Sequence, residues 1–138
     1  MMLEKGIICE SRSSWQSPIV AVPKPDGKIR LCVDYRKVNA MAKFDACPIP
    51  RVDELVESVR QTNYISTLDL TKGYWQVHVA PKDQEKTAFA TPWGLFQFQQ
   101  MPFRLHRAAA TFQLLMDKVL PPHGGYAAAY IDDIVIYT

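Results

Sequence analysis

The chain has 138 residues, 48% of them hydrophobic and 22% charged, enough apolar material to build the core of one domain. Its formal net charge of +2 permits a polyanionic partner without requiring one. The composition argues against several classes: Cys9, Cys32 and Cys47 stand far apart with no CxxC pair, so neither a disulfide framework nor a cysteine zinc site is indicated, and a reducing compartment is expected. No stretch approaches the ~18 apolar residues of a membrane span. MMLEKGIICESR has neither the basic start nor the apolar centre of a signal peptide, so a soluble chain with no membrane partner is expected.

In chain order, PIVAVPKPDGKIRLCVDY reads as a hairpin: an apolar run to Val22, a Pro-Asp-Gly turn, then Ile29, Leu31 and Val33 alternating with Lys28, Arg30 and Cys32. The alternation puts Lys28 and Arg30 on one face. VDELVESV (52–59) spaces Val52, Leu55, Val56 and Val59 as a short amphipathic helix, YISTLDL (64–70) follows as a strand, and GYWQV makes a helical turn. TAFATPWGLFQF (87–98) is a second hairpin around Pro92-Trp93-Gly94. From Ala108 to Leu120, the apolar residues Phe112, Leu115, Met116, Val119 and Leu120 mark a helix that Pro121 and Pro122 end. Strands and helices mixed in this order and joined mainly by hairpins predict an α+β fold. Neither GxGxxG nor GxxxxGK[ST] occurs, so phosphate-loop nucleotide binding has no support.

The last twelve residues, AAAYIDDIVIYT, set Asp132 and Asp133 in an otherwise apolar run. In one continuous strand these side chains would point to opposite faces and one would enter the core, at high cost. A hairpin pairing 127–130 with 133–138, Ile131-Asp132 at its tip, brings both carboxylates near one exposed edge. Asp69 ends another apolar strand. Carboxylates brought within ~4–6 Å raise one another's pKa, so a cluster of them is stable chiefly when a cation neutralises it, and hard oxygen ligands suit Mg²⁺ or Mn²⁺. Taken alone, an Asp-Asp pair is more often an ordinary tight turn capping a hairpin, with Asp69 an unrelated acid at a strand end.

SPIVAVPKPDGKIRLCVDYRKVNA, PIPRVDEL, STLDLTKGYWQV, KTAFATPWGLFQF, MPF, ATFQLLMDKVL and YIDDIVIYT occur here in one order. In these motifs the chain resembles the reverse transcriptases (RNA-directed DNA polymerases) of long-terminal-repeat retroelements, gypsy-type retrotransposons above all. The resemblance implies the fingers and palm of a right-hand polymerase, with an antiparallel palm sheet packed on helices. Residues of about 1–60 and 80–105 would be fingers-like, and about 61–79 and 106–138 palm-like. Asp69 and Asp132 would bridge two Mg²⁺ (or Mn²⁺) ions, Asp133 would complete the acidic cluster, and the Leu70 carbonyl would add a ligand. Nucleotidyl transfer to a primer on an RNA or DNA template is the implied chemistry, with dNTP as substrate.

The same resemblance assigns Lys24 (or its neighbour Lys28) and Arg30 to the incoming triphosphate, Tyr74 to the floor of the sugar site, and Phe103 to the nucleotide. Gln113, Tyr130 and Ile131 fall where relatives meet template or primer. Without it, Arg30 is a solvated strand cation, Tyr74 and Trp75 are core aromatics, Phe103 is an apolar loop anchor and Gln113 is a surface amide.

MPFRLHRAAATFQ departs from the family pattern. Arg104 stands where relatives carry glycine, Arg107 where they carry glycine or asparagine, and Ala109 where they carry proline. Glycine at such a position usually allows positive φ or close backbone approach, so a long cation at 104 is expected to intrude on template or nucleotide. The resemblance also implies that thumb, connection and ribonuclease H segments, with protease and integrase, belong to the parent polyprotein outside this stretch. An intracellular setting, in a cytoplasmic particle or the nucleus, goes with it. The 138 residues by themselves are expected not to extend a primer. The alternative is a catalytically dead nucleic-acid-binding or interaction module of retroelement origin, or a relic without a selected role.

Overall fold

A computed structural model describes residues 2–42, 51–70 and 72–138. Cys47, the Pro-Ile-Pro of PIPRVDEL and the threonine after LDL lie outside them. The elements in chain order are β1 (Ile8–Glu10), β2 (Ile19–Pro23), β3 (Ile29–Val33), α1 (Arg36–Met41), α2 (Val52–Val59) and β4 (Ile65–Asp69). After a 3₁₀ turn at Gly73–Gln76 come α3 (Pro81–Gln84), β5 (Phe89–Thr91), β6 (Gly94–Phe98), α4 (Ala108–Val119), β7 (Ala127–Tyr130) and β8 (Asp133–Tyr137). All the strand ladders among the described residues are antiparallel, as an α+β fold joined by hairpins requires. No helix among them is long and apolar enough to cross a membrane.

The chain divides into two compact units, Met1–Lys43 with Trp75–His106, and Phe44–Tyr74 with Arg107–Thr138. These lines differ from the fingers-like and palm-like ranges above: α2 groups with β4, β7 and β8, and residues 75–79 group with β1, β5 and β6.

In the first unit, β1, β6 and β5 form a three-stranded sheet in that order, and β2 and β3 pair as a separate hairpin. Ile7, Tyr35, Phe89 and Phe98 make the core, with the Phe89 and Phe98 rings 5.3 Å apart. Thr87 ties it together. Buried, it accepts the Tyr35 hydroxyl on its carbonyl at 2.7 Å, donates its own hydroxyl to the Gln84 carbonyl at 2.6 Å and accepts the Phe98 N–H at 2.9 Å. Each polar atom taken from water thus regains a partner, which unpaired burial would forfeit at several kcal/mol. β1 has no alternation of its own; it exists because Ile8 pairs with Phe98, ninety positions away. The β2–β3 hairpin turns at Lys24–Lys28, where Gly27 takes φ 80° and the Lys24 N–H donates to the Lys28 carbonyl at 2.7 Å. Its tip is open on both faces: Ile29 and Leu31 are 68% and 66% exposed, so the alternation marks strand geometry there and not a buried side.

In the second unit the sheet order is β4-β8-β7. Helix α4 packs against β7, burying Ala108, Phe112, Gln113 and Met116. Ala127 and Ala129 of β7 are buried too, and their small side chains suit a helix lying against a strand. This corrects the apolar stripe read along α4. Leu115 and Val119 are 37% and 52% exposed, while a glutamine occupies the buried stripe in their stead.

Candidate active site

The hairpin of β7 and β8 forms as its sequence demands, with Tyr130 opposite Asp133 and only Ile131 and Asp132 between the strands. Ile131 takes φ 59°, a conformation that a β-branched residue adopts at a cost. The turn is held from beneath. Gln113, 1% exposed, accepts the Ile131 N–H on Oε1 at 3.0 Å and donates from Nε2 to the Asp117 carboxylate at 3.0 Å and the Ala129 carbonyl at 3.4 Å.

Strand β4 ends at Asp69, directly opposite Asp133. Antiparallel partners lie ~4.5–5.5 Å apart at Cα and project to the same face, so these two carboxylates share a face and a neighbourhood. Asp133 and Asp69 are exposed and Asp132 is half-buried on the adjoining turn. Like charges set directly opposite one another destabilise a sheet, and the first unit's ladders show no such pair. Among the described residues no three His, Cys, Asp or Glu side chains gather closely enough to hold an ion unaided. Mg²⁺ seldom requires that: it takes one or two carboxylates and leaves the rest of its shell to water and substrate phosphates. The donor set of Asp69, Asp132 and Asp133 is hard oxygen throughout and fits such an ion. The Leu70 carbonyl accepts the Gly73 N–H at 3.0 Å, which leaves one lone pair for a ligand role.

Tyr74 follows on the 3₁₀ turn. It is 8% exposed, edge-on to Phe112 with centroids 5.3 Å apart. Burial, and secondarily the charge of Asp132, push its hydroxyl above the usual tyrosine range, which puts the ring within the field of the acid turn. Gly73 lets this happen: a Cβ there would meet Phe112 Cζ at 3.1 Å and Leu70 Cβ at 3.3 Å.

The first unit carries the other expected residues. Lys24 and Lys28 sit at the exposed tip of the β2–β3 hairpin, and the Arg30 guanidinium lies 5.6 Å from the centroid of the Phe103 ring, a cation–π contact. Phe103 is 37% exposed and its ring stands 6.3 Å from that of Trp75. The structure thus joins Arg30 to Phe103, sets Asp69 opposite Asp133 with Asp132 on the adjoining turn, and puts Tyr74 under the influence of Asp132.

Gln113, a surface amide when read without the resemblance, is instead a buried strut of the acid turn with both ends of its amide engaged. Tyr130 and Ile131, the other template or primer candidates, are half-buried beside it. Asn39, which sequence reasoning passed over, donates from Nδ2 to the Arg104 carbonyl at 2.9 Å and accepts the His106 N–H on Oδ1 at 2.8 Å. Its partners lie 65 and 67 positions away, and no local pattern announces such a clasp.

Residues 22–138 match the family model described as reverse transcriptase (RNA-dependent DNA polymerase). The retrovirus-related Pol polyprotein from transposon 297 of Drosophila melanogaster is 40% identical over 99% of this chain, which spans 14% of that polyprotein. An RNA-directed DNA polymerase homolog of Oenothera berteroana is 42% identical over 80% of this chain and 78% of its own length. Among solved structures, the foamy viral protease-reverse transcriptase in complex with RNA/DNA hybrid superposes with a TM-score of 0.89 at 27% identity, covering 99% of this chain and 18% of that one. With the acids on a β-hairpin turn and the antiparallel sheets that carry them, this chain belongs to the reverse transcriptase family, in the company of retrotransposon Pol polyproteins, gypsy among them.

Proposed function

We propose that this chain is the nucleotidyl-transfer region of an RNA-directed DNA polymerase, acting with Mg²⁺ or Mn²⁺ on a primer annealed to RNA or DNA. The observation that carries the reading is the cross-strand pair Asp69–Asp133 with Asp132 on the adjoining turn, three carboxylates at one end of one sheet. Asp69 and Asp132 would hold two ions and Asp133 would add to the negative field, with the Leu70 carbonyl as a further ligand. When bound, the ions supply a more acidic primer 3′-hydroxyl and charge neutralisation on the phosphates. The new bond joins that oxygen to the α-phosphorus as the bond to pyrophosphate breaks.

The rest of the reading concerns the chain's own groups. Lys24 and Arg30 are cations suited to triphosphate oxygens, the guanidinium gripping two at once and the ammonium one. Phe103 beneath Arg30 offers an aromatic face to the nucleotide. The Tyr74 ring, fixed against Phe112, is a rigid floor for a sugar and would exclude a 2′-hydroxyl. The foamy viral neighbour's complex with RNA/DNA hybrid supports a template-primer partner here. Primer extension by the parent polyprotein tests the proposal. Asp132→Asn should abolish extension, and Tyr74→Val should admit ribonucleotides while deoxynucleotide use continues. Full extension by Asp132→Asn, or equal loss of both substrates in Tyr74→Val, would count against the assigned roles.

A further inference from the structure

Arg104 stands apart from the other cations of its unit. Its backbone sits at φ 70°, one of three non-glycine residues with positive φ among those described, and its side chain is exposed. That conformation costs a residue with a Cβ about 1–2 kcal/mol unless its surroundings impose it. Asn39 imposes it. One amide side chain takes the Arg104 carbonyl and the His106 N–H together, fixing the backbone on both sides of the bend.

The guanidinium has no ion-pair partner among the described residues. The carboxyl that feels its charge, Asp34, is already taken. Arg36 binds it through Nε at 3.0 Å to each oxygen and through a second nitrogen at 2.6 Å, and that bond above all holds the Asp34 carboxyl below its usual range. Immediately before Arg104 in the chain is Phe103, with Arg30 over its ring. An exposed aromatic flanked by two arginines, neither neutralised by a carboxylate among the described residues, combines a stacking face with backbone-tracking charge.

We propose that Arg104 is a phosphate contact for single-stranded polynucleotide, fixed in place by Asn39 and working beside the Phe103 ring, a contact that a glycine at this position lacks. Resting on the nucleic-acid reading of the preceding section, it adds a partner-binding residue of this chain's own. It also reverses the expectation that Arg104 obstructs: the cation is attractive to polynucleotide.

The test is binding of a fluorescent single-stranded RNA and its DNA counterpart to the full 138-residue chain across a salt series, for the wild type, Arg104→Gly and Arg104→Lys. Loss of one phosphate contact should flatten the slope of log K against log salt by about 0.7 and weaken binding several-fold, alike for different base sequences. Arg104→Lys should keep most of the slope. Arg104→Gly removes the backbone strain, so a melting temperature at or above wild type shows that lost affinity is not lost fold. Competition by dATP separates the sources of phosphate: a dATP affinity unchanged in Arg104→Gly supports polynucleotide, and a change confined to dATP overturns the proposal. An unchanged RNA slope in Arg104→Gly overturns it while leaving the nucleic-acid reading intact. Failure of the wild-type chain to bind polynucleotide overturns both.

Discussion

At residue 104 a left-handed backbone carries an arginine, and the chain pays for it in stability. Glycine there escapes the Cβ clash, worth about 1–2 kcal/mol, and gives back ~0.5–1 kcal/mol through a freer unfolded chain. Arg104→Gly should therefore stabilise the protein by about 1 kcal/mol in urea unfolding. No gain would mean that Asn39 relieves the strain fully. Tyr35 supplies a second residue-scale prediction. Burial raises its hydroxyl far above the ordinary value of 10.0, so the folded protein keeps it neutral while the unfolded chain releases its proton. Its contribution is whole below pH ~10 and falls away as pH rises past that value. Tyr35→Phe should cost about 1 kcal/mol at neutral pH, through the lost bond to Thr87, and should remove much of the alkaline decline in stability. An alkaline limb as steep as in the wild type would place the titrating group elsewhere. At this scale the residue types were legible and their partners were not: the acids announced themselves, but Asn39 and Thr87 act on groups brought near only by folding.

At the scale of elements, the hairpins and α4 were legible because each writes its own signal, turn residues between alternating runs or apolar residues at helical spacing closed by prolines. The two-residue tip at Ile131-Asp132 followed from refusing to bury either aspartate, and the register agrees. What misled was the assumption that the apolar stripe of a helix is its buried stripe. Gln113 displaces Leu115 and Val119 from the interior because the acid turn leaves the Ile131 N–H in need of an acceptor, a demand made eighteen residues downstream. Removing that acceptor leaves a half-buried donor unpaired, which costs ~1–3 kcal/mol. Gln113→Ala should destabilise the protein by that amount and speed hydrogen exchange at the Ile131 amide. Persistent protection of that amide would show that the strands hold the turn alone.

For the whole molecule, the motif order sufficed to name fold and family, since seven short segments in sequence constrain one another far more than any single one does. The division into two units was less legible, because α2 and the residues after Tyr74 join strands remote in the chain. The central claim concerns the acids, whose like charges oppose across the ladder at Asp69 and Asp133. That arrangement should make the metal-free protein less stable than it need be. The deciding measurement is urea unfolding of the wild type and Asp69→Asn, each in EDTA and in saturating Mn²⁺. In EDTA, Asp69→Asn should be the more stable by ~0.2–1 kcal/mol. In Mn²⁺ at about a hundred times its Kd, the wild type should gain ~2.7 kcal/mol and the variant little, reversing the order. Equal stabilisation of both proteins by Mn²⁺, or of neither, would contradict the assignment of these carboxylates to a metal centre.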